Sequence, residues 1–129
     1  MIGNRLLLIA AVATPLLAGC ASGTSTEYLE SQDGKQLHSD ASVGDLVLCL
    51  KQKLGDDANV LAYPEPGKVD VRVGYGHRAD AGYSYLISLR AAARGTDVEI
   101  RSAGDWRPML SQGRVTGYVK DCKPGTAVR

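Results

Sequence analysis

Val69-Asp70-Val71-Arg72-Val73-Gly74-Tyr75 places an apolar side chain at every odd position, with a charged residue or glycine between. A period of two is the signature of a strand with one buried face and one wet face. Toward the C-terminus the pattern recurs twice. Tyr83, Tyr85, Ile87, Leu89 and Ala91 alternate with Ser84, Leu86, Ser88 and Arg90, and Val98 and Ile100 alternate with Asp97, Glu99 and Arg101. Ala93-Arg94-Gly95-Thr96 reads as the turn between these two runs. With Arg94-Gly95 as a two-residue connection, Leu89 faces Ile100 and Ala91 faces Val98 on the core side, while Arg90 meets Glu99 on the other side. The parity fits an antiparallel meander.

Toward the N-terminus, the turn Pro64-Glu65-Pro66-Gly67 follows a short apolar stretch over 59–63. Further upstream, Val43, Leu46, Val47, Leu50 and Leu54 recur at helical spacing. Ser42 suits the N-cap, Asp45 stands three residues later, and Gly55 lies where the helix should stop. Residues 105–122 read as a second helix, with Asp105 as its cap, Pro108 in its first turn, and Val115, Val119 and Cys122 on one face. Gly113 and Gly117 weaken it by about 1 kcal/mol each relative to Ala. The expected fold is α+β: a small two-layer sandwich, with a three- or four-stranded antiparallel sheet and an N-terminal and a C-terminal helix.

The 129 residues hold 15 Lys+Arg against 14 Asp+Glu, with 44% apolar and 22% charged side chains. That composition is globular, and its balanced charge excludes a polybasic nucleic-acid binder. Six Tyr, one Trp and no Phe leave little surface for stacking bases.

Residues 1–19 carry one charge, Arg5, followed by an apolar run over 6–17 that Thr14 and Pro15 interrupt. This is the layout of an export signal, and the run is shorter than the roughly 20 residues of a membrane span. It ends in Leu17-Ala18-Gly19-Cys20, which closely resembles the lipobox of bacterial lipoproteins over the first 20 residues of the chain. The resemblance implies cleavage between Gly19 and Cys20, diacylation of the Cys20 thiol and acylation of the new amino group. Acyl chains contribute about 0.8 kcal/mol per buried methylene, so several of them make a stable anchor. Ala21-Ser22 in place of an Asp after the lipidated Cys implies the outer membrane of a Gram-negative envelope, facing the periplasm. Loss of Arg5 from the 15 basic residues leaves 14 against 14, so the membrane contact rests on the acyl chains alone.

Between Cys20 and Asp40, Ser, Thr, Gly, Gln and charges dominate, and Tyr28, Leu29 and Leu37 are the large apolar groups. The expected organisation is a signal peptide at 1–19, a lipidated flexible tether at 20–41, one domain at 42–123 and a tail at 124–129. As a coil the tether would reach on the order of 25 Å. The alternative is that Tyr28 and Leu29 dock as an added strand.

With Cys20 lipidated, Cys49 and Cys122 remain, and an oxidising compartment favours a disulfide between them. Buried free thiols or an intermolecular bridge are the alternatives, and a redox enzyme is disfavoured because no C-x-x-C is present. Gly74-x-Gly76-x-x-Ala79 resembles a dinucleotide-binding fingerprint, but that would require a helix over 79–93, where the alternation reads as strand. No nucleotide or other cofactor is expected. His38 falls in the tether, and His77 with Asp80 falls short of a metal or catalytic site. The charges Asp70, Arg72, Arg90, Asp97, Glu99 and Arg101 read as a solvated ladder. The candidate contact surface is the 76–82 loop, with Tyr75, His77, Arg78 and Tyr83, and with Trp106 nearby. The chain therefore reads as a lipid-anchored envelope protein with a non-catalytic binding or structural domain and a possible envelope protein partner. The alternative is a small periplasmic hydrolase, or an enzyme inhibitor, that uses the 76–82 loop.

Overall fold

The computed structural model of the chain describes residues 25–76, 82–105 and 107–125. The signal segment, Cys20, His77, Arg78, Asp80 and Trp106 lie outside the described residues. The elements in order are α1 (Thr26–Glu30), β1 (Lys35–Ser39), α2 (Val43–Leu54), β2 (Ala58–Ala62), β3 (Lys68–Val73), β4 (Tyr85–Ala91), β5 (Thr96–Ser102) and α3 (Gln112–Asp121). A 3-10 turn, Gly55–Asp57, joins α2 to β2. The fold is α+β, with five strands where three or four were expected, all antiparallel, in the order β1-β5-β4-β3-β2.

The path follows from the local signals. Ser42 Oγ accepts the Asp45 N–H at 3.1 Å and opens α2, and Gly55, at φ +60°, closes it. Leu46, Cys49, Leu50 and Leu54 form its buried stripe. Chain order requires α2 to carry the chain from β1 at one edge to β2 at the other, and the meander β2-β3-β4-β5 then returns it beside β1. Val71, Val73, Tyr85, Ile87, Leu89, Val98 and Ile100 line one face of the sheet and pack with the α2 stripe and with Val115 and Val119 of α3. Cys49 and Cys122 are disulfide-bonded, with their Cα atoms 5.9 Å apart, and this joins α2 to the end of α3.

Four expectations need correction. The segment read as a flexible tether is part of the domain from Ser25 onward. Ser25 caps α1, and β1 pairs with β5 from Lys35↔Ile100 to Ser39↔Thr96. Leu29 does dock, but from a helix. It is wholly buried outside the main core, where α1 packs on β4 and β5. Leu86, on the face of β4 away from the core, is likewise buried, so α1 gives the sheet a short second cover beyond the two layers expected.

The β4–β5 register is two residues off the expected one: Leu89 faces Val98, Ile87 faces Ile100, and Arg90 faces Asp97 rather than Glu99. The connection is four residues long, closed by Ala92 N–H to Gly95 O at 3.0 Å, and an even loop of either length keeps the same faces together. Gly95 has φ +67°, and a Cβ there would lie 2.0 Å from the Ser39 carbonyl oxygen, so the turn requires glycine. Finally, α3 starts at Gln112 with Ser111 as its N-cap, leaving Asp105 and Pro108 in the preceding loop. The tail is held at its start, where Gly125 N–H donates to Asp45 Oδ2 at 2.9 Å.

Candidate functional site

The start of β2, the end of β3, the start of β4 and the end of β5 meet at one end of the sheet. A polar cluster closes that end. The Tyr75 hydroxyl donates to Asp105 Oδ2. Ser84 Oγ lies 2.9 Å from the Tyr75 hydroxyl and 3.2 Å from Asp105 Oδ2, sharing one proton between two acceptors. Arg107 reaches over the cluster. Its guanidinium stands 4.3 Å from the centroid of the Tyr75 ring and donates to Asp57 Oδ2 at 2.7 Å. This ion pair is well shielded, with the Arg107 side chain 11% and the Asp57 side chain 33% exposed. The backbone adds Gly74 N–H to Asp57 O, Ser84 N–H to Val73 O and Ala103 N–H to Ser84 O, each at 2.8 Å.

Burial, and next the hydrogen bond to Asp105, push the Tyr75 phenol above its ordinary value. A protonated phenol lets Tyr75 donate to that carboxylate, and the guanidinium over the ring offsets part of the nearby negative charge. Ser84 is buried with its hydroxyl committed to these partners. The arrangement braces four segments and holds both roots of the 76–82 loop. Tyr75 is one root, its hydroxyl engaged internally. Tyr83 is the other, with the Arg72 guanidinium 5.8 Å from its ring centroid. His77 and Arg78 lie outside the described residues.

The charged ladder is partly a buried network. Asp70 is 2% exposed, accepting from the Tyr63 hydroxyl at 2.6 Å and from Arg90 at 3.1 Å. Arg101 pairs with Glu99 at 2.9 Å and donates to the Gln32 carbonyl at 3.0 Å, which fastens the loop after α1. His38 lies on β1 with Nδ1 2.9 Å from Asp97 Oδ1. Asp57, Ser84, Asp105 and Arg107 are the cluster members that sequence reasoning missed. Only Ser84 adjoins the loop in sequence; Asp57, Asp105 and Arg107 come from distant parts of the chain and carry no local signal.

Among the described residues no helix is long and apolar enough to cross a membrane, and no three His, Cys, Asp or Glu side chains converge as a metal-ligand group. Comparison with protein-family models, with curated proteins and with solved structures finds no match to this chain.

Proposed function

We propose that this chain is a bacterial lipoprotein, held by acyl chains on Cys20 at the outer membrane and facing the periplasm, with a domain that acts by binding or as a structural module. Leu17-Ala18-Gly19-Cys20, placed directly behind an apolar run with a single preceding charge, carries the reading. The Cys49–Cys122 disulfide supports it, because such bonds persist in exported proteins. The hydrogen-bonded cluster at Tyr75 and Ser84, which flank the 76–82 loop, supports the second half, because loops displayed by a rigid scaffold commonly carry recognition. Tyr83, with His77 and Arg78, would offer aromatic and cationic groups of the kind that anchor protein interfaces. The partner is then a protein of the same envelope.

The test is Cys20→Ser in cells fed a clickable palmitate analogue. Wild-type chain should take up the label and fractionate with the outer membrane, and the variant should remain unlabelled and uncleaved. Undiminished labelling of the variant would refute the anchor, and recovery of labelled wild type in the inner membrane alone would refute the sorting.

A further inference from the structure

The anchor and the first element of the fold are close in sequence. Ser25 is already committed to the domain, its Oγ accepting the Tyr28 N–H at 3.2 Å. From Cys20 to Ser25 is five residues, and at 3.3–3.6 Å per residue even a fully extended chain spans only about 18 Å. The element at the end of that leash does not swing freely. Leu29 is wholly buried against the sheet, Arg101 holds the Gln32 carbonyl, and β1 continues directly into the ladder with β5. A lipid at Cys20 therefore pulls one particular side of the molecule toward the bilayer, the side that carries α1.

That side presents a fitting group. Tyr28 is 48% exposed and is the exposed large apolar residue on α1, while Leu48, also exposed, lies on α2 across the sheet. An aromatic ring with a polar tip suits the boundary between headgroups and acyl chains. Glu27, Glu30 and Asp33 are close to it in sequence, and their hydration keeps the contact shallow.

We infer that the domain rests with α1 against the lipid headgroups of its own membrane, Tyr28 seated among them, and that α2, α3 and the disulfide face away. This inference rests on the lipoprotein reading. It replaces a domain roaming on a long tether with one held at a fixed height and orientation, so partners must meet it close to the bilayer.

The test uses the full chain, exported and processed in cells, purified from membranes and reconstituted in phosphatidylcholine nanodiscs that carry a gadolinium-chelating headgroup lipid. Intact mass establishes acylation first. Paramagnetic relaxation of the amides should then be several-fold stronger over 26–30 than over 43–54. Tyr28→Ser should reduce that difference, and a long Gly-Ser insertion between Ser22 and Gly23 should remove most of it. Equal enhancement of the two helices in acylated protein, or stronger enhancement over 43–54, overturns the orientation and leaves the anchor standing. Absence of acyl mass overturns the anchor and the orientation with it.

Discussion

Tyr63, Tyr75 and Tyr85 each commit a hydroxyl inside the molecule, donating to Asp70, to Asp105 and to the Leu110 carbonyl. All three phenols titrate above the ordinary value of 10. For Tyr63 the hydrogen bond to Asp70 is the main cause, and for Tyr75 and Tyr85 burial is. In the unfolded chain they ionise near the ordinary value, so above it the folded state holds more protons than the unfolded one, and stability falls as pH rises. The contribution is fully present below about pH 10 and is lost as pH passes through the raised folded values. Urea unfolding at successive pH values should show this loss, and Tyr75→Phe should make it shallower while costing about 1 kcal/mol at neutral pH for the lost hydrogen bond. A stability that stays level while the phenolate absorbance of all six tyrosines develops would contradict the assignment. These partners were not legible in the sequence. Asp105 stands where a local rule allows a helix cap, yet its partners Tyr75 and Ser84 lie 30 and 21 residues away, and no local signal encodes such pairs.

The strands that the sequence revealed are those whose core-facing positions are apolar at every second residue: β3, β4 and β5. The edges were harder to read for a physical reason. Lys35-Gln36-Leu37-His38-Ser39 offers one apolar residue in five, and β2 is exposed along most of its length, so both depend on backbone pairing with an inner neighbour more than on burial. Leu86 hid a related fact. Read as one apolar residue on a wet face, it is buried, as is Leu29 of α1, the helix that packs on β4 and β5. Leu29→Ala should therefore behave as a core truncation, costing about 2–5 kcal/mol. Its effect should also be directional. Amide exchange should accelerate first over 26–39, with β3 and β4 retaining their protection, because α1 covers the sheet from outside the main core. Uniform acceleration across the sheet would show that α1 belongs to the same cooperative unit as α2 and α3.

At the scale of the whole molecule, the strand order sends the chain across the sheet on α2 and back by a meander, and α3 then returns to lie with α2 on the same face. The two helices share the main core, and the disulfide joins them over a sequence separation of 73. The even cysteine count left after Cys20 made this bond legible, whereas the strand order was not, because nothing local in a five-residue edge strand names its neighbour. A covalent closure of that length restricts the unfolded chain, by up to about 4 kcal/mol in the chain-entropy account, a large fraction of the 5–15 kcal/mol expected of a small domain. Both cysteines are buried, so the disulfide exchanges with a reductant only when the α2–α3 pair opens. The Cys49→Ala/Cys122→Ala chain should keep the wild-type far-ultraviolet spectrum at low temperature, because the sheet and its core contacts do not pass through the sulfur atoms. It should unfold at markedly lower urea, and wild type unfolded and refolded under reductant should match it. Reduction of native wild type should be slow and should quicken as urea raises the open fraction. Rapid reduction without denaturant would show that α2 and α3 separate while the sheet remains intact, and that the bond clasps two mobile helices instead of closing one cooperative domain.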